Sequence, residues 1–272
     1  MSRFVKVLAV ALMVLLIAGG LWAASKSIQV IGSTTVFPIA QACAERFMDI
    51  NKDVNISVKG GGSGVGIAAL LDGTCDIAIS SRPMKVEEIN KGKERGVNPV
   101  AHVIALDGIA IVVHPSNPLE GLTVEQVRNI YSGKINNWKE VGGRDMKIVV
   151  VSRDSASGTY EAFHELVLKK EKLRDDAMLL ASNRAVATTI AQTEGAIGYI
   201  GLGYLSPSVK SLKIDGVMPS KETVINKSYK LARSLYMYTN GEPKGLLKSF
   251  IDFVLSPEGQ KIVEEQGFVP VK

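Results

Sequence analysis

Ser27-Ile-Gln-Val-Ile-Gly-Ser-Thr-Thr-Val-Phe-Pro38 reads as a short apolar strand, a Gly-Ser-Thr loop and the opening of a helix. Beyond Pro38, Ala40, Cys43, Ala44, Phe47 and Met48 fall at the three-four spacing of a buried helix face. The unit then recurs. Val54-Asn-Ile-Ser-Val58 alternates as a strand, ends in Gly60-Gly-Gly-Ser-Gly64 and leads into a helix carrying Ile67, Leu70 and Leu71. Asp76-Ile-Ala-Ile-Ser80 is a third strand and ends in Ser81-Arg82-Pro83. Strand, loop and helix in repetition predict an α/β fold with a mainly parallel sheet.

Downstream the pattern continues. Val103 to Val113 is a long apolar run broken by Asp107-Gly108 and ended by Pro115 and Pro118, long enough to cross between lobes. Thr123 caps a helix through Tyr131. Lys147 to Val151 is a buried strand, followed by Ser152-Arg-Asp-Ser-Ala-Ser-Gly-Thr159 and a helix from Tyr160 to Leu168. Asn183 to Gln192 reads as a helix, and Gly195 to Ile200 and Leu235 to Thr239 read as strands. Gly245–Leu255 and Pro257–Gln266 are terminal helices. The chain's 272 residues suit two domains of ordinary size.

Residues 1–24 read as a signal peptide. Arg3 and Lys6 form a basic start, Val7 to Ala18 is apolar but short for a membrane span, and Ala23 and Ala24 offer a cleavage point. Retention as an anchor is the alternative. The chain is therefore expected to be exported, to the periplasm or the extracellular cell surface. That segment holds two bases and no acids, so the rest carries 30 Lys and Arg against 27 Asp and Glu. The bases are dispersed, which argues against nucleic acid as a partner; the slight positive excess suits an anion. Cys43 and Cys75 are either a disulfide, which export permits, or two buried thiols. Neither they nor the scattered His102, His114 and His164 have metal-site spacing, and no metal or cofactor is expected. Trp138 reads as packing.

Four strand ends share one chemistry: Gly32-Ser33-Thr34-Thr35, Gly60 to Gly64, Ser80-Ser81-Arg82, and Arg153 to Thr159. Three of them lead into helices. Ligands of open parallel sheets sit at the carboxyl ends of strands. Helix N-termini offer free N–H groups and partial positive charge, glycine allows close approach, and hydroxyls add donors. Any one such loop is more often a helix cap; four together form an anion cradle. Arg153 supplies a planar fork suited to an oxyanion, with Asp154 or Ser155 placed to hold it. Arg82 either reaches the ligand or pairs with an acid across the cleft, the second being favoured. Ser63 lacks a nucleophile elbow because position 65 is Val, and phosphate-loop and dinucleotide fingerprints are absent from the sequence. The loops hold many neutral donors and few acids or bases, which favours binding over catalysis.

With these pieces assembled, the chain resembles the periplasmic phosphate-binding proteins of phosphate ABC transporters, within the type II solute-binding proteins. The matching pieces run in order: Gly32 to Pro38, Gly61-Gly-Ser-Gly64, Asp76 to Pro83, Asp107 to Val113, Tyr131 to Trp138, Ser152 to Thr159, Gly195 to Tyr199 and Leu255 to Gln260. The resemblance implies two α/β lobes joined by two crossing strands, with lobe 1 at 25–107 and 232–272 and lobe 2 at 108–231. It implies ligand contacts at Thr35, Val36 and Phe37, in part through backbone N–H, and at Ser63, Ser81, Arg153, Ser157, Gly158 and Thr159. Ser33 and Thr34 join them from the first loop. The implied role is a non-enzymatic, monomeric receptor that closes on inorganic phosphate and delivers it to the membrane permease of an ABC transporter. Ser81 stands where the best-known members carry an aspartate that accepts the proton of hydrogen phosphate, so sulfate, molybdate or tungstate is the alternative ligand. A phosphate-ester hydrolase is a third reading, and it would need an activated nucleophile or a metal.

Overall fold

The computed structural model describes residues 26–169 and 171–271. The signal-peptide reading lies outside the described residues.

The first repeats fold as the alternation requires. Strand β1 (Lys26–Gly32) leads into helix α1 (Phe37–Ile50), β2 (Val54–Gly60) into α2 (Ser63–Leu71), and β3 (Ile77–Ser80) into α3 (Val86–Glu94). β2 and β3 flank β1, both parallel to it. Then β4 runs unbroken over Pro99–Val113. β5 (Gly121–Leu122), α4 (Val124–Tyr131), β6 (Val149–Arg153), α5 (Gly158–Phe163), β7 (Met178–Leu180), α6 (Asn183–Gln192) and β8 (Ala196–Gly201) follow. After the short β9 (Lys210–Ser211), β10 (Lys213–Ile214) and α7 (Lys221–Ile225), the chain returns through β11 (Ala232–Asn240) and ends in α8 (Gly245–Val254) and α9 (Pro257–Glu265).

One curled sheet runs β2-β1-β3-β11-β4-β8-β6-β7, with β9 also on β4. Its two parallel ends belong to two lobes, and β4 and β11 join them. β4 pairs with β11 from Pro99 to Gly108 and changes partner to β8 at Ile109. β11 begins opposite Gly108, so both crossings occur at one level of the sheet. Asp107 interrupts the apolar run but not the strand, because its buried carboxylate pairs with Arg233 on β11. β6 likewise extends to Arg153, which pairs with Leu180 of β7 rather than opening the loop. The following helix starts at Gly158, because Ser157 Oγ caps the Tyr160 N–H, and it loosens into a π turn over His164–Leu168.

Each lobe has its own core. Ile28, Val30, Ile39, Phe47, Ile77 and Phe250 pack in the first; Ile111, Ile130, Tyr131, Trp138, Phe163 and Tyr199 pack in the second. Phe163 stacks on Tyr199 with ring centres 4.1 Å apart. Cys43 and Cys75 are buried free thiols, not a disulfide, and burial pushes both up to about 12. Among the described residues no helix is long and apolar enough to cross a membrane.

The α2–β1 contact is made by glycine. A Cβ on Gly66 would run into the Ile31 carbonyl and the Gly32 backbone. Gly66→Ala is therefore expected to destabilise the chain by about 1–3 kcal/mol, the usual range for overpacking. Urea unfolding measures this; an unchanged midpoint would show that α2 can move off the strand.

Candidate functional site

The four strand-end loops meet at the seam between the lobes. From lobe 1, Ser33 and Thr35 follow β1, Ser63 opens α2 and Ser81 follows β3; from lobe 2, Arg153 ends β6 and Ser157 to Thr159 open α5. Ser33, Thr35, Ser63, Ser81, Arg153, Ser157 and Thr159 are each 2% exposed or less, so the set is enclosed.

The lobes touch through these loops. The Gly64 N–H donates to the Ala156 carbonyl at 3.0 Å. Thr35 Oγ1 and Thr159 Oγ1 lie 2.9 Å apart. A Cβ on Gly158 would run into Ser63 Oγ and lie 2.9 Å from Ser81 Oγ. The bare glycine backbone is what lets α5 reach the lobe 1 serines. The Gly158 and Thr159 N–H groups occupy the first helical positions, where no intrahelical acceptor exists.

Arg153 decides the electrostatics. Its Nε donates to the Leu180 carbonyl and its Nη2 to the Ala181 carbonyl, both at 2.9 Å, with a longer bond to Thr34 Oγ1 at 3.3 Å. Its Nη1 is buried and has no protein partner. Burial pushes the guanidinium below its ordinary value. Asp154 does not hold it, contrary to the sequence reading; that carboxylate accepts the Ala156 N–H instead. The β7 carbonyls perform the task, and a sequence shows no carbonyl direction. Arg153 is thus a buried cation bonded only to neutral groups.

The remaining expected residues take definite places. Ser33 Oγ accepts the Thr35 and Val36 N–H groups at 3.1 and 3.3 Å, and the Phe37 N–H donates to the Ser33 carbonyl. These three N–H groups therefore form an internal turn. Ser63 Oγ accepts the Ser81 N–H at 3.0 Å, and Ser157 Oγ accepts the Tyr160 N–H at 3.2 Å. Arg82 pairs with Glu88 through two bonds of 2.7 Å, and its Nε lies 2.8 Å from Glu161 on α5, across the seam. Lys85 Nζ reaches the same Glu161 oxygen at 2.8 Å. A groove of about 750 Å³, lined in part by Arg82, Tyr160, Glu161 and Arg233, opens along this edge.

Three polar residues escaped the sequence reading. Asp107 and Arg233 face each other on the crossing strands, and Asn183 starts α6. Opposite charges within two otherwise apolar strands were the available signal. Tyr199 adds a fourth contact, with its hydroxyl 2.8 Å from Ser152 Oγ and accepting the Arg153 N–H at 3.1 Å.

The model for the PBP superfamily domain matches residues 22–258. The phosphate-binding protein PstS of Borreliella burgdorferi is 37% identical over 91% of this chain and 91% of its own length. A crystallised protein of Clostridium perfringens, described as a phosphate ABC transporter substrate-binding protein with bound phosphate, is 40% identical with a TM-score of 0.85. It is covered over its full length, and 91% of this chain is matched. An ABC-type phosphate transport receptor of Vibrio cholerae is 32% identical over 89% of this chain and 99% of its own, with a TM-score of 0.74. The chain belongs to the PstS family of the PBP superfamily. As in the type II architecture expected of such a member, the Ser- and Gly-rich loops of this PstS family member lie at strand ends facing a shared seam.

Glu88 gives a pH prediction. Burial alone would raise its carboxyl, but the Arg82 bonds and the Lys85 N–H outweigh this and hold it below its ordinary value. A carboxyl lowered by folding stabilises the protein above its unfolded pKa, roughly 4.3, and loses that contribution as pH falls through the folded value. Wild type should melt above Glu88→Gln at pH 7, and the gap should close towards pH 3. A gap independent of pH would contradict the pairing.

Proposed function

We propose that the chain is an exported receptor that holds inorganic phosphate between its lobes and passes it to the permease of an ABC transporter. The observation that carries this is Arg153, a buried guanidinium of lobe 2 bonded to no carboxylate, with Nη1 unpartnered and Nη2 reaching Thr34 of lobe 1 at 3.3 Å. An uncompensated buried charge is costly, and a bound anion would compensate it. PstS relatives over most of the chain and the phosphate-bound Clostridium perfringens structure favour phosphate.

The lobes divide at residues 107/108, next to the change of β4's partner at Ile109, and at 231/232, where β11 begins. Ser33, Thr34, Thr35, Val36, Phe37, Ser63, Ser81, Arg153, Ser157, Gly158 and Thr159 form the binding set. Closure brings the two lobes' donors onto one anion, and the anion in turn favours the closed state. Micromolar affinity needs about 8 kcal/mol net, within reach of several bonds to a charged group at about 1.5–3 kcal/mol each. A holding role fits the serines, whose hydroxyls bond backbone N–H and one another rather than a base. The receptor acts as a monomer outside the cytoplasmic membrane, after removal of residues 1–24.

Ser81 favours a second reading. A serine at this place tolerates an unprotonated anion such as sulfate, molybdate or tungstate. Competition calorimetry separates the two ligands.

Arg153→Ala should weaken phosphate binding by about 100-fold or more, since it removes the charged donor, and the protein should stay folded. Isothermal titration reads the affinity; unchanged affinity in the variant would remove Arg153 from the site.

A further inference from the structure

Two polar side chains outside the strand-end loops reach the Thr35–Thr159 pair. Arg233 Nε and Nη2 donate to Asp107 Oδ2 at 3.0 and 2.9 Å, which fixes the guanidinium between the crossing strands. Nη2 also reaches Thr159 Oγ1 at 3.1 Å and Thr35 Oγ1 at 3.4 Å. Asn183 Nδ2 donates to Thr35 Oγ1 at 2.9 Å. The orientation of that amide is set by the backbone: the Gly201 N–H lies 3.2 Å from Asn183 Oδ1 and needs an acceptor there.

A hydroxyl has one proton and two lone pairs. Arg233 Nη2 has two protons: one goes to Asp107, and the other is shared between Thr159 Oγ1 and, at the longer distance, Thr35 Oγ1. Thr35 Oγ1 thus accepts from Asn183 and in part from Arg233, which leaves its own proton to donate. Thr159 Oγ1, 2.9 Å distant, is placed to take it. Thr159 Oγ1 then accepts from Thr35 and shares the Arg233 proton, and its own proton is left without an acceptor among the described residues. The two hydroxyls come from opposite lobes, so this polarity exists only when the lobes meet.

We propose that Arg233 and Asn183 are positioning residues that hold the Thr35–Thr159 pair as a proton donor toward the bound anion. Asp107 neutralises Arg233, so its part is to orient hydroxyls, while Arg153 supplies the charge. The inference deepens the phosphate reading above and rests on it. It also ties closure to the hinge, because the orienting cation stands on β11 and its anchor on β4.

A double-mutant cycle on the full chain tests this, read by isothermal titration with inorganic phosphate. Thr159→Val is expected to weaken binding by about tenfold, the loss of one hydrogen bond to a charged group. Arg233→Met is made together with Asp107→Leu, so that no buried charge is stranded. In that background Thr159→Val should cost less than about threefold, because the hydroxyl is no longer held. Additive losses would overturn the proposal. Asn183→Leu with Thr35→Val reads the same coupling from lobe 1 and decides the matter if the first background fails to fold; equal losses from Thr35→Val with and without Asn183 would also overturn it. If wild type does not bind phosphate, the phosphate reading falls while the same cycle run with sulfate still judges the orienting role. Binding of neither anion overturns both.

Discussion

A buried guanidinium bonded to carbonyls instead of a carboxylate is the constraint around which the rest of the molecule is arranged. Arg153 is 2% exposed, and its Nη1 is left without a protein partner. Burying a charge costs several kcal/mol; the bonds to Leu180 and Ala181 return about 1.5–3 kcal/mol each and leave Nη1 unsatisfied. The surrounding residues are small and rich in donors: glycines where the loops touch, and serines and threonines where a polar guest would sit. Ala156, Gly158 and Gly62 permit the close approach, because larger side chains would hold the lobes apart.

Closure is held by interactions of different weight. The Asp107–Arg233 pair is fully buried on the crossing strands, and losing one partner would cost about 3–5 kcal/mol. Arg82, Glu161 and Lys85 bridge the lobes at the groove edge, where Lys85 is half-exposed. The Lys85 branch contributes about 0–1 kcal/mol, whereas Arg82 and Glu161 are largely buried, so the bridge between them is the stronger part of the seam. An anion can shift the equilibrium between open and closed lobes only by its difference in affinity for the two states.

The repeated strand–loop–helix units made the parallel lobes legible in the sequence, because apolar alternation and glycine-rich loops are local signals. The strand ends were legible for the same reason, and their residues do converge on one seam. Partners distant in sequence were not legible. Asp107 looked like an interruption of an apolar run because Arg233 lies 126 positions away. Asp154 looked like the natural anchor of Arg153 because it is the adjacent charge, whereas β7 pairing delivers two carbonyls from residues 180 and 181. The first loop folds on itself as well: Ser33 Oγ accepts the Thr35 and Val36 N–H groups and its carbonyl the Phe37 N–H, a turn that composition does not display.

A crystal structure grown with phosphate probes the buried cation most directly. The expected result is an anion enclosed at the seam, with Arg153 Nη1 on one of its oxygens and lobe 1 hydroxyls, Ser63 or Thr35, on others. A structure with the lobes closed on each other and phosphate bound elsewhere, or with Arg153 turned to solvent, would contradict it.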